Sequence, residues 1–318
     1  MRTKALSLLI AALALTGCPL FFPPEPSVRV TENIPYAVGY VAPASGSSQY
    51  FLRELLMDVY GPAKKEDHLK PGLLLVHGGG FREGSKQDER MVEYAEYFAE
   101  RGYIVFVIDY RLESDNPPAP SSWSGAFGFG ASRLAAAHAA IVDVKAAVRH
   151  IRANAASYGI DPNRIGVLGE SAGAIAAVPT ALTPSSEFTT DGPDFPLPAF
   201  NNGGVSTRVQ AYCHFWGNAD HVLLSVSFND PPTMMVHGTE DEQLFTPFRS
   251  SERLRTALNL WGVPNVLYEA VGFGHGAWGY TAGNKDLKIL TREFLDEHLM
   301  GMTKSAIELR SAAELATP

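Results

Sequence analysis

Cysteine is nearly absent. The chain holds two, Cys18 and Cys213, too few for the disulfide framework that staples small secreted domains. No run of 18 or more apolar residues occurs, so no segment reads as a membrane-spanning helix. Positive charge is in the minority, 26 Lys and Arg against 34 Asp and Glu, for a net charge of −8. With no basic stripe either, a nucleic-acid partner is excluded. There is no P-loop, dinucleotide fingerprint or metal-ligand cluster, so no cofactor and no metal are expected, and no internal repeat is found. What is present is globular: 46% hydrophobic and 19% charged residues over 318 positions support a large core and exclude global disorder.

The first 18 residues read as a targeting segment. Arg2 and Lys4 make a positive start, and Ala5 to Leu15 form an apolar stretch too short to cross a bilayer. It ends Leu15-Thr16-Gly17-Cys18, which resembles a bacterial lipobox, where the cysteine is lipidated and becomes the first mature residue. An ordinary secretory signal is the alternative. Residue 19 is proline rather than aspartate, so the expected address is the outer membrane. With Cys18 lipidated, Cys213 has no partner. It sits in the strand-like run Val209 to Trp216 and is expected to be buried and structural.

The reading divides the chain into a leader (1–17), a proline-rich tether (18–34), a catalytic domain (35–303) and a C-terminal tail (304–318) that is either a short helix or a frayed end. Within the domain, continuous apolar runs at 72–77, 103–110, 164–168, 207–214, 232–237 and 265–270 alternate with helical patterns at 87–101, 135–157, 247–261 and 285–300. Strands alternating with helices at this spacing predict an α/β fold with a mostly parallel, doubly wound sheet of about eight strands. Irregular insertions near 112–132 and 183–206 are expected at the C-terminal ends of strands, where such folds place their sites.

One stretch organises the chemistry. Gly169-Glu170-Ser171-Ala172-Gly173 lies between an apolar strand and the small-residue run Ala174 to Val178. A serine between two glycines at a strand-to-helix junction sits on a turn so tight that side chains on either side would collide, and the helix N-terminus aims free N–H groups at the same place. Acyl transfer by serine also needs a base, a group that orients the base, and donors for an oxyanion. The ends of other strands offer each: His77-Gly78-Gly79-Gly80-Phe81, then Gly238-Thr239-Glu240-Asp241, then Gly272-Phe273-Gly274-His275-Gly276.

These motifs, with Asp109-Tyr110-Arg111 and Asp161-Pro162, resemble the carboxylesterase/hormone-sensitive-lipase group of α/β-hydrolases over roughly residues 50 to 300. The resemblance implies that Ser171 is the nucleophile, His275 the general base and Asp241 the residue that orients it. Glu240 is the alternative acid. The N–H groups of Gly79, Gly80 and Ala172 would form the oxyanion hole, His77 would brace the glycine loop, and Glu170 would tune the site. Asp143 and His150 read as ordinary helix groups, and His68, His138, His150, His214, His221, His237 and His298 are given no role. Trp123, Phe127, Phe129, Trp216 and Trp278 are candidates for lining a cleft, though core packing explains them equally well.

The expected function is hydrolysis of a carboxylic ester, free or polymer-linked, through an acyl-enzyme. A serine peptidase of the same fold and a non-catalytic binding lipoprotein are the competing readings. The leader makes its own prediction. Cys18→Ala expressed beside wild type with labelled palmitate should lose label and leave the membrane pellet, because anchoring at about 0.8 kcal/mol per buried CH₂ needs the acyl chains. An unlabelled, soluble wild type would make the segment a plain secretory signal.

Overall fold

The structure, a computed structural model, describes residues 27–64, 67–123 and 128–316. Cys18, the leader, most of the tether and Phe127 lie outside the described residues. In chain order the main elements are β1 (Val28–Val41), β2 (Phe51–Pro62), β3 (Lys70–Val76), α1 (Glu89–Glu100), β4 (Ile104–Ile108), α2 (Ala131–Ala153), α3 (Ala155–Tyr158), β5 (Ile160–Glu170) and α4 (Ala172–Leu182). There follow β6 (Ala211–Phe215), β7 (Thr233–Gly238), α5 (Phe248–Leu260), β8 (Asn265–Ala270), a two-residue pair β9 (Thr281–Ala282) and β10 (Lys285–Asp286), α6 (Leu287–Met300) and α7 (Lys304–Leu315).

Eight strands form one sheet in the order β1-β2-β4-β3-β5-β6-β7-β8. Only the pairings made by β2 are antiparallel. The six strands from β4 to β8 in that order run parallel. This is the mostly parallel, doubly wound sheet that the alternation of apolar runs predicts. The apolar runs are continuous because both faces are covered. Leu74, Val76, Phe106 and Val167 pack under α2, α4 and α5. Their neighbours Leu73, Leu75, Val105 and Leu168 pack under α1 and α6. Cys213 is buried within that second layer, and burial pushes its thiol up, so it is a packing residue as expected.

Two expectations need correction, and one open alternative is decided. The tether does not extend to residue 34: β1 begins at Val28, which pairs with Pro62 of β2. Pro35 disguises this strand in the sequence, yet an edge strand tolerates proline, and the ladder shifts register at Thr31/Ile34 and again at Pro35/Ala37. Of the two readings offered for the segment from Lys304, the short helix is the one the structure shows. Thr303 caps α7 through Ala306 N, and Arg310 and Glu314 pair with Asp296 and Arg292 of α6. The insertion after residue 182 leaves from the end of α4, not from a strand.

That second insertion has little regular structure, and buried cations hold it. The Lys145 ammonium donates to Thr183 Oγ1, Pro184 O and Glu187 O at 2.7, 2.8 and 3.0 Å. Arg149 Nε donates to Asn201 O at 2.9 Å, and the Asn201 amide in turn bonds both backbone groups of Val38 on β1. Arg111, itself buried, reaches Asp143 on α2 at 2.6 Å and Asp191 in the insertion at 2.7 Å. Asp143 is therefore a structural ion-pair partner. Arg111→Leu strands two buried carboxylates and should lower unfolding free energy by about 3–5 kcal/mol. A chemical-denaturation midpoint within error of wild type would contradict that account.

Candidate active site

The serine turn is built by close approach of backbone. A Cβ at Gly169 would lie 2.5 Å from Gly173 O, and one at Gly173 would lie 2.2 Å from Val76 O and 2.4 Å from His77 O. Neither position accepts a side chain, which is why glycine flanks the motif. Ser171 is left at φ 52°, ψ −119°, a strained state for a residue with a Cβ, worth about 1–3 kcal/mol. Its own N–H is held by Phe215 O at 2.9 Å.

The loops after β7 and β8 meet the serine together. A Cβ at Gly238 would stand 2.2 Å from Gly274 O, so these two loops also touch through bare backbone. Glu240 N donates to Phe273 O at 2.9 Å, and Gly272 N donates to Thr239 Oγ1 at 3.0 Å, tying one loop to the other. This brings His275 Nε2 to 2.8 Å from Ser171 Oγ and His275 Nδ1 to 2.7 Å from Asp241 Oδ2. The carboxylate accepts, so Nδ1 carries the proton and Nε2 is free to accept the serine O–H. Asp241 is the acid in contact with the imidazole, while Glu240 is exposed to solvent.

Burial works against charge on Asp241. The hydrogen bonds from His237 and His275, with the Gln243 N–H on Oδ1 at 3.0 Å, outweigh it and hold the carboxyl well below the usual carboxylate range. His237 is a partner that the sequence reading passed over. Its Nε2 lies 3.0 Å from Asp241 Oδ2 and 3.0 Å from Thr246 O, and its Nδ1 lies 2.7 Å from Ser251 Oγ. The available signal was spacing: His237 and Asp241 flank the turn that ends β7, four residues apart.

The glycine loop after β3 is clamped at one peptide. Gly78 N donates to Glu170 Oε1 at 2.6 Å, and Gly78 O accepts from Tyr110 Oη at 2.9 Å. The Tyr110 hydroxyl also reaches His77 O at 3.0 Å, while the His77 ring stacks on Tyr110 at 4.3 Å between centroids. His77 thus braces the loop. Glu170 Oε2 accepts from Trp216 Nε1 at 2.9 Å, and burial raises the Glu170 carboxyl although both of these donors oppose it. Gly79 and Gly80 follow at φ 98° and 61°, conformations suited to glycine. Their neighbouring carbonyls are taken: Gly79 O accepts from Arg82 N and Glu83 N. In trans peptides the N–H points opposite its carbonyl, so the Gly79 and Gly80 N–H groups face away from those partners. Ala172 opens α4 beside Ser171.

Of the aromatic candidates, Trp216 is buried and Trp278 packs on it at 4.7 Å, so both belong to the core. Trp123 donates through Nε1 to Leu134 O and packs on His138 and Phe188. Phe129 is different. It lies 5.9 Å from Phe81 at the end of the glycine loop and 4.4 Å from Phe245 in the Asp241 loop, bridging the two.

A parallel sheet with a serine elbow after β5, an acid after β7 and a histidine after β8 defines an α/β-hydrolase, and solved structures agree. The chain matches an esterase from Thermogutta terrifontis at TM-score 0.60 and 23% identity, over 86% of this chain and 94% of that one. It matches a truncated carbohydrate esterase from gut microbiota at TM-score 0.62 and 19% identity, over 87% and 99%. The model of the carboxylesterase family matches residues 54–191 of this chain. Gut esterase 1 of Caenorhabditis elegans is 30% identical over 130 residues, 41% of this chain and 21% of that protein. Carboxylesterase NlhH of Mycobacterium tuberculosis is 32% identical over 163 residues, 50% and 41%. The chain thus spans between about a fifth and two fifths of the length of these relatives.

The Asp241 linkage has a sign. A carboxyl held down in the folded state adds stability above its unfolded value near 3.9, and that stability is lost as pH falls through the lower folded value. The stability gap between wild type and Asp241→Asn, measured by urea unfolding, should therefore shrink below about pH 4. A gap that widens on acidification would contradict the assignment.

Proposed function

We propose that the protein is a serine carboxylic-ester hydrolase working through an acyl-enzyme, and that it is held at the outer membrane by lipid on Cys18. The observation that carries the chemistry is the unbroken chain Ser171 Oγ, His275, Asp241 at 2.8 and 2.7 Å. His275 takes the serine proton as Oγ attacks the ester carbonyl, and Asp241 stabilises the imidazolium that results. The oxyanion that forms is met by the Gly79, Gly80 and Ala172 N–H groups. The ester C–O bond then breaks as His275 returns its proton to the leaving alcohol. Water attacks the acyl-enzyme by the same route in reverse roles, releasing the acid and restoring Ser171.

The carboxylesterase-type sequence of residues 54–191 and the esterase relatives support esters over peptides. A non-catalytic binding role is disfavoured because serine, histidine and acid are all retained within hydrogen-bond distance. Phe129 and Phe245, packed at 4.4 Å between the glycine loop and the Asp241 loop, are the apolar groups we put forward as a wall for the acyl group.

With p-nitrophenyl esters of increasing chain length, wild type should turn over and a fluorophosphonate should label Ser171. Ser171→Ala and His275→Ala should each lose about 10⁶-fold in kcat, since they act as a unit, and Asp241→Asn should keep more activity. Esterase activity surviving in pure Ser171→Ala protein, or Glu240→Gln more damaging than Asp241→Asn, would overturn the assignment.

A further inference from the structure

The carboxylate that orients His275 is shared. Asp241 Oδ2 accepts from two imidazoles, His275 Nδ1 at 2.7 Å and His237 Nε2 at 3.0 Å, and each ring ends on a serine hydroxyl, Ser171 at 2.8 Å and Ser251 at 2.7 Å. The result is a run Ser171–His275–Asp241–His237–Ser251 that is nearly symmetric about one oxygen. His237 and Ser251 are fully buried, so water does not stand in for either. The Nε2 proton is forced, and in the neutral ring it fixes the direction of the Ser251 bond. His237 Nε2 faces two acceptors, Asp241 Oδ2 and Thr246 O, and must carry the hydrogen; Nδ1 then accepts from the Ser251 hydroxyl.

We propose that His237 is a positioning residue for the reaction: it holds Asp241 Oδ2 against His275 and, by taking part of that oxygen's negative charge, moderates its pull on the catalytic imidazole. The inference rests on the serine mechanism above. The physical basis is charge sharing. A carboxylate oxygen that already accepts one hydrogen bond is a weaker acceptor for a second and stabilises a neighbouring imidazolium less. The Ser251 hydroxyl, donating into the far side of the His237 ring, makes Nε2–H a better donor and strengthens the effect.

Removing this donor should leave His275 more basic. The base must be neutral to accept the serine proton, so the acidic limb of kcat/KM against pH should move to higher pH. Other groups reach the same pair. Glu170, at the end of β5, acts on His275 through its charge, and His214 on β6 faces His237. Burial holds His214 down to about 3, out of the range of the limb. Glu170 is the same in every protein compared, so differences between limbs belong to the His237 pair.

The test uses full-length wild type, His237→Leu, His237→Gln and Ser251→Ala, each assayed for kcat and KM from about pH 5 to 9. His237→Leu should shift the acidic limb up by about 0.5–1 pH unit, with kcat lowered and KM unchanged. His237→Gln, which keeps an N–H in reach of Asp241, should bring the limb back toward wild type. Ser251→Ala should shift it in the same direction by less. A purely structural role predicts lost activity with the limb unmoved and no rescue by glutamine, and either that result or a downward shift overturns the proposal. If His237→Leu does not fold, an unmoved limb in Ser251→Ala overturns it alone. Failure of the serine mechanism is separately visible, as activity retained in Ser171→Ala.

Discussion

Everything at the site depends on a place where backbone touches backbone. Gly173 leaves no room for a Cβ against Val76 O and His77 O, so the first turn of α4 is pressed onto the end of β3. That single contact sets the glycine loop, which starts at His77, next to the serine, which stands two residues before Gly173. The helix can come so close because its facing residues are small: Ala172, Ala174, Ala176 and Ala177 are all buried. The strain at Ser171 is sustained from both sides, by Phe215 O on its N–H and by helix α4 continuing from it. A looser junction would relax the serine and separate it from the glycine loop in the same movement.

The sequence was most legible where physics acts locally and repeatedly. Leu73 to Val76 and Tyr103 to Ile108 read as buried strands because a parallel strand covered on both faces has no polar alternation to hide. Gly169 and Gly173 were readable because only glycine fits where they stand, and they frame Ser171 between them. Legibility failed where the deciding interaction is distant. Nothing near Val28 announces that it pairs with Pro62. Helix α7 is docked by Asp296 and Arg292 on α6, the helix just before it, 14 and 22 residues from their partners Arg310 and Glu314. His237 read as one histidine among seven without a role, because its partner Ser251 lies on α5, across a loop.

Each polar group of the site is backed by a second that the sequence does not place beside it. The glycine loop is held by Glu170 and Tyr110, from the ends of β5 and β4; Asp241 is held by His237 and Gln243; Glu170 is held by Trp216. These supports all come from strand ends or the residues just after them. A parallel sheet gathers its C-terminal ends along one edge, so groups far apart in the chain reach one another without long side chains. Support of this kind fixes the polar groups of the site in place before any ligand enters.

The same logic extends to three of the chain's buried cations. A protein with a net charge of −8 places Arg111, Lys145 and Arg149 in its interior. All three point at the insertion that follows α4, and Lys145 and Arg149 do so mainly through carbonyls. A segment with only one 3-10 turn and one isolated bridge has many backbone oxygens that no ladder satisfies, and burying them unpaired costs about 1–3 kcal/mol each. An ammonium with three donors meets three acceptors at once, and a guanidinium meets a carboxylate at each side. Cations on α2 thus supply the partners that regular structure would have provided. The insertion keeps one path from α2 to β1 even though its own sequence favours no element.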